Sequence, residues 1–151
     1  MPALEIGQAV PDFTAAMTGE TSFTLSDYRS KSNLIIYFYP KDFTPGCTEE
    51  ACSFRDGFSE LRNLDIDVYG ISRDSISSHK KFRDEHKLPF HLLSDPKGEV
   101  CKSYDALMPI VKIPKRITYL IGENMRIKAV YADLFGAKKH LESMIRELKT
   151  E

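Results

Sequence analysis

The chain has no tryptophan, only three cysteines among its 151 residues, and no long hydrophobic run. Its longest apolar stretch, LIIYFY at 34–39, falls far short of the ~20 residues a spanning helix requires, which excludes a helical membrane anchor there. Neither sign of charge is in excess. Twenty-one Lys and Arg face 22 Asp and Glu, for a net charge of −1, and neither sign clusters. Partners that demand a concentrated basic face, nucleic acids and anionic membrane surfaces, are therefore not expected. The opening MPALEIGQAVPDF lacks a basic segment leading into an apolar run, so no export signal and a cytoplasmic location are expected. In a reducing compartment three cysteines do not make a disulfide scaffold; each is reactive, metal-binding or inert. Without an internal repeat, a low-complexity tract or a Ser/Gly linker, a single domain over 1–151 is expected.

What is present is an ordinary globular composition, 42% hydrophobic and 28% charged. FTAAMTGETSFTLSDY has the pattern of a hairpin around Thr18-Gly19-Glu20. NLIIYFY (33–39) is apolar without alternation, as in a central strand covered on both faces. Thr44 then stands as a helix N-cap with Pro45 at the first helical position, and Ala51, Phe54, Phe58 and Leu61 mark one face. IDVYGIS (66–72) is a second buried strand. Asp74 is placed to cap a helix running to about Lys87, which Pro89 stops, and a short strand FHLLS follows. A short helix near 98–104 leads to a second hairpin, RITYLI and MRIKAVY across Gly122-Glu123-Asn124. Ala137, Leu141, Met144, Ile145 and Leu148 stripe a closing helix. Strands alternating with helices, plus hairpins, predict an α/β fold: a central mixed sheet with helices on both faces.

The chemistry concentrates in YFYPKDFTPGCTEEAC, 37–52. Cys47 falls in the first turn of the predicted helix, where unpaired N–H groups point outward and the helix dipole favours negative charge. A free thiol is mostly protonated at neutral pH, whereas one at a helix start beside a cation becomes mostly thiolate, the nucleophilic form. Thr44 supplies a hydroxyl for the sulfur or a substrate oxygen. Pro40 and Pro45 restrict the loop, and Gly46 lets backbone approach a ligand closely. Five residues along a helix place Cys52 about 9 Å from Cys47 between Cα atoms. Disulfides need about 4.4–6.8 Å, so any bond between the two requires the helix to unwind.

A zinc site of Cys47, Cys52, His86 and His91 has admissible spacings, but a helix and a strand separate the two pairs. His79 and His86 are read as polar positions on a solvated helix face, and Cys101 as packing or an incidental free thiol.

The pattern Pro40-x-x-x-Thr44-x-x-Cys47 resembles the active-site signature of the peroxiredoxins, thiol peroxidases on a thioredoxin-like fold. FYPKDFTPGCTEEAC is similar to the peroxiredoxin Q, or bacterioferritin comigratory protein, group. The resemblance runs from IGQAVPDFTA through LLSDPKGEV to the last helix. It departs from the group at YDALMPIVKIPKR and LIGENMR. It implies that Cys47 attacks a hydroperoxide and becomes a sulfenic acid, that Thr44 orients thiolate and peroxide, and that Pro40 shields the sulfur from water. It also implies that Arg116 stabilises the thiolate and the developing charge, and that Glu50 holds Arg116. Gly46 would border the peroxide. Cys52 would then condense with the sulfenic acid to a disulfide that thioredoxin or a similar dithiol reduces. No metal or organic cofactor is implied, and the group commonly acts as monomers, a weak dimer being the alternative.

Two other functions compete with the peroxidase. One is a redox-sensing interaction module that uses the same disulfide switch. The other is a disulfide oxidoreductase, which Thr44 and Arg116 argue against, since disulfide exchange needs no peroxide-positioning groups.

Overall fold

A computed structural model describes residues 3–19, 21–133 and 137–149. Seven strands form one sheet in the order β2-β1-β5-β4-β3-β6-β7. β1 (Thr14–Met17) and β2 (Thr21–Thr24) make the N-terminal hairpin, and β1 joins the sheet antiparallel to β5 (His91–Ser94). Glu20, read from the sequence as part of this turn, lies outside the described residues. β3 (Asn33–Phe38), β4 (Ile66–Ser72) and β5 run parallel, β3 at the centre between β4 and the antiparallel β6 (Ile117–Ile121). β7 (Ile127–Ala132) closes the second hairpin on β6. The central strands have no alternation because both faces are covered, and every residue of β6 is buried.

Both parallel crossovers lie on one face. α1 (Pro45–Asp56) and α2 (Phe58–Asn63) connect β3 to β4, and α3 (Ile76–His86) connects β4 to β5. With α5 (Ala137–Lys149) they bury Phe54, Leu61, Phe82 and Met144 against Ile35, Tyr37 and Leu120. The other face packs Leu34, Ile36, Phe38 and Tyr119 under the N-terminal segment, a 3₁₀ turn at Leu25–Tyr28 and the short α4 (Glu99–Ser103). The α/β architecture agrees with the sequence reading, with the longer helices concentrated on the first face. The side chain of Ala137, placed on the closing helix's apolar stripe, lies outside the described set.

Two local readings are corrected. The helix after β3 breaks at Gly57, where an added Cβ would lie 2.7 Å from Leu141 Cδ2, so α5 packs against bare backbone there. The cap of α3 is Ser75, whose Oγ accepts from Ser78 N at 3.1 Å, and not Asp74.

Candidate active site

The parallel strand β3 delivers the chain to the sheet edge where α1 begins. Between them, Phe43 takes a left-handed φ of 66°, a backbone state that costs a non-glycine residue and aims the chain into the helix. Asp42 anchors this loop from beneath. Its carboxylate accepts from the Tyr39 hydroxyl at 2.6 Å, the Ser78 hydroxyl at 2.8 Å and His79 Nδ1 at 2.7 Å. Its own N–H donates to Asp74 Oδ2 at 2.9 Å, and Ser72 donates to the same oxygen at 2.5 Å. His79 Nε2 donates to the Leu93 carbonyl at 2.8 Å. His79 is thus fully buried, not on a solvated face as the sequence reading has it, and it ties α3 and β5 to the active-site loop. Asp42, Asp74 and His79 form the one cluster with metal-like spacing among the described residues. Their close polar atoms already hold one another and the loop, which makes the cluster a strut.

Thr44 takes the N-cap position with extended backbone (φ −78°, ψ 151°), and Pro45 opens α1. The Thr44 hydroxyl, expected to cap the helix and to donate to the sulfur or a substrate oxygen, donates instead to Lys41 O at 2.8 Å. Cys47 follows in the first turn, only 1% exposed. Its sulfur accepts from Arg116 Nη2 at 3.2 Å, and Arg116 Nη1 donates to Glu50 Oε1 at 2.6 Å. Arg116, immediately before β6, is itself 5% exposed, so the cation meets the sulfur away from bulk water. Gly46 permits this approach: a Cβ there would stand 3.0 Å from Arg116 Nη2. Pro40, half-buried, borders an open groove of about 330 Å³ with Lys41, Arg73, Val111, Ile113 and Pro114.

Cys52 is half-buried one and a half turns on, its sulfur 4.0 Å from His86 Nδ1. Arg55 Nη1 donates to His86 O at 2.8 Å, so the end of α3 is fastened to α1 beside Cys52. The four zinc candidates do not converge, because Cys47 faces Arg116 and His91 Nδ1 pairs with the Thr18 hydroxyl at 2.8 Å. Cys101 is buried, and burial pushes its thiol far above the ordinary range, as does Asp95, whose carboxylate also accepts from its N–H.

The sequence reading missed one residue behind Arg116. His140 of α5 is fully buried, with Nε2 2.9 Å from Asp133 O and Nδ1 2.7 Å from Thr118 Oγ1 and 3.5 Å from Glu50 Oε2. A signal was available: His140 falls on the apolar stripe of α5, where a polar ring needs buried partners.

Comparison with known proteins places this arrangement in a family. The model of the AhpC/TSA family matches residues 6–130. The peroxiredoxin bcp of Coxiella burnetii is 42% identical over 135 residues, 85% of this chain and 89% of that protein. A chloroplastic peroxiredoxin Q of Oryza sativa subsp. japonica is 35% identical over 95% of this chain, which spans 66% of the rice protein's length. Among solved structures, peroxidoxin BcpB of Mycobacterium tuberculosis superposes with a TM-score of 0.91 at 29% identity, covering 97% of both chains. A mutant PrxQ of Xylella fastidiosa gives 0.86 at 31% identity, covering 97% of this chain and 96% of its own. A buried cysteine at a helix start, an arginine on its sulfur and relatives of this kind lead to one conclusion: the chain belongs to the AhpC/TSA family, as a peroxiredoxin of the Q or bacterioferritin comigratory group.

Proposed function

We propose that this chain, acting as one domain over 1–151, is a thiol peroxidase that reduces hydrogen peroxide and organic hydroperoxides in the cytoplasm. The observation that carries the reading is the contact of Arg116 Nη2 with Cys47 Sγ at 3.2 Å inside the first turn of α1. A fixed cation there favours the thiolate and meets the negative charge that develops as the O–O bond breaks. The peroxide head enters between Pro40, Thr44 and Gly46, all half-buried. Because the Thr44 proton is committed to Lys41 O, its oxygen offers lone pairs to the peroxide O–H.

The thiolate attacks one peroxide oxygen, an S–O bond forms as the O–O bond breaks, and the other oxygen leaves as an alcohol or water after taking a proton. Cys47 is then a sulfenic acid. The Cys52 thiol attacks its sulfur, an S–S bond forms and water departs. A dithiol reductant of thioredoxin type opens the disulfide by exchange and leaves both cysteines reduced. No metal or organic cofactor takes part. The enzyme works as a monomer, with a weak dimer as the alternative. The family relatives support this peroxidase reading over a sensor without turnover, as does the Xanthomonas campestris bacterioferritin comigratory protein, a structure described for alkyl peroxide reduction (28% identity, TM-score 0.85, covering 99% of this chain).

The test is coupled turnover: reduced protein, hydroperoxide, thioredoxin, its reductase and NADPH. Peroxide-dependent NADPH loss that Cys47→Ser abolishes supports the enzyme. Stoichiometric oxidation that stops after one equivalent would instead make it a redox sensor.

A further inference from the structure

Behind the Arg116–Cys47 contact lies a buried pair that the peroxide chemistry leaves unexplained. Glu50 is fully buried; its Oε1 takes the Arg116 hydrogen bond, but its Oε2 has no hydrogen-bond partner. His140 Nδ1 lies 3.5 Å from it. The tautomer of His140 follows from its other contacts. The Asp133 carbonyl can only accept, so Nε2 carries the hydrogen, and Nδ1 of the neutral ring is a lone pair to which the Thr118 hydroxyl donates. With Glu50 as a carboxylate, the lone pairs of Oε2 would face the lone pair of Nδ1 in a site closed to water. One proton on Oε2 removes that repulsion and spares the site an unsolvated negative charge. Putting the proton on His140 instead would bury a second cation close to Arg116.

We propose that Glu50 works as a neutral carboxylic acid, its proton carried on the Oε2 that faces His140, so that Arg116 keeps its full positive charge for the Cys47 sulfur. His140 is then a positioning residue for the peroxide reaction. The inference rests on the reading of Cys47 as the peroxidatic nucleophile. The titratable and polar groups facing the pair come from every packed element: Cys47 from α1, Tyr37 from β3 with a buried hydroxyl lacking a hydrogen-bond partner, Arg116 and Thr118 at β6, and Tyr131 and Asp133 at the end of β7. Burial acts on both members in the same sense. It pushes the Glu50 carboxyl up to about 8 against the pull of Arg116, and the His140 ring down to about 4. When Glu50 loses its proton, Arg116 is shared between two anions and its hold on the thiolate weakens.

The experiment follows Cys47 oxidation by stopped flow across pH, together with infrared difference spectra of the reduced protein. The wild-type rate is expected to fall several-fold above pH ~8. Glu50→Gln, which cannot ionise, should lose that alkaline fall. His140→Ala removes the lone pair that opposes a charged Oε2 and should move the fall to lower pH; His140→Asn, whose amide oxygen presents lone pairs in place of Nδ1, should restore it. At neutral pH the spectrum should show a protonated carboxyl C=O stretch that Glu50→Gln deletes. Its absence, or an alkaline fall that persists in Glu50→Gln, would overturn the proposal. Should either variant not fold, pH titration of the infrared band in the wild-type protein decides alone. The band reports Glu50 whether or not the chain turns over peroxide, so failure of the peroxidase reading would be seen separately, in the NADPH assay.

Discussion

Forming a Cys47–Cys52 disulfide must dismantle the first two turns of α1, and the structure sets the energetic scale. Helical geometry holds the two Cα atoms about 9 Å apart, beyond the reach of a disulfide. Within Pro45–Cys52 the buried residues are Cys47, Glu50 and Ala51. Exposing a methyl and a thiol costs about 1–2 kcal/mol. Separating the Glu50–Arg116 pair adds about 3–5 kcal/mol, toward the lower end when Glu50 is protonated. In the reduced enzyme, with Glu50 protonated, the unwound form is then populated by roughly one molecule in 10³. The next turn is better anchored, since Phe54 is fully buried and stacked on Tyr37 with ring centroids 4.7 Å apart. Unwinding should stop there. One equivalent of hydroperoxide should abolish amide-exchange protection over 45–52 while β3 and α3 stay protected, and lower the helical circular dichroism by roughly a sixth. In Cys52→Ser the sulfenic acid should accumulate with α1 intact. A disulfide confirmed by mass in a protein whose 45–52 amides remain protected would refute the reasoning.

Gly46→Ala improves helix propensity by about 1 kcal/mol yet puts a methyl against Arg116 Nη2. Peroxide oxidation of Cys47 should slow about tenfold without loss of stability, as read by stopped flow and urea titration; an unchanged rate would show that Arg116 has slack. Arg55→Ala unfastens α1 from His86 O, so disulfide formation should accelerate and over-oxidation to sulfinic acid at high peroxide should decline; intact-mass measurement checks both, and equal over-oxidation counts against the tie. Stability should also follow pH through the buried pair. The Glu50 carboxyl, raised by burial from 4.5 to about 8, contributes stability that is full below about 4.5 and lost as pH rises through about 8. His140, lowered by burial from 6.5 to about 4, contributes stability that is full above about 6.5 and lost as pH falls through about 4. Stability should therefore be level between about pH 4.5 and 6.5 and decline above about 6.5 by at most about 1.4 kcal/mol per pH unit. Urea midpoints of Glu50→Gln, flat where the wild type declines, are the check.

What could be read in advance divides by the range of the forces involved. β4 was legible over 66–72 to the residue because its branched and aromatic residues, with Ile66, Val68 and Ile71 buried, carry a local strand signature. The start of α1 was legible because Thr-Pro is a local signal for a helix N-terminus. The break at Gly57 was not, since it answers to Leu141, a neighbour brought in by α5. Asp74 and Ser75 are both competent caps, and the choice between them was made by Ser72 and by Asp42, from another loop, drawing Asp74 away.

The histidines separate readable from unreadable most sharply. His79 stands three residues before the fully buried Phe82, hence on the same face of α3, and that spacing argued for burial more strongly than the charged residues around it argued for solvent. His140 sits four residues before the buried Met144 on the stripe of α5. In both cases a titratable ring on an apolar face demanded a buried partner, and the helical period alone could have raised the demand. The partner's identity could not be read this way: Asp42 and Glu50 lie 37 and 90 residues away, on elements that only the sheet brings together. Arg116 shows the same limit, since nothing in RITYLI distinguishes its arginine from other basic residues until the strand order sets β6 beside β3 and points that side chain at the first turn of α1. The cysteine at a helix start was therefore a local fact, whereas the charge that would make it reactive is a property of topology.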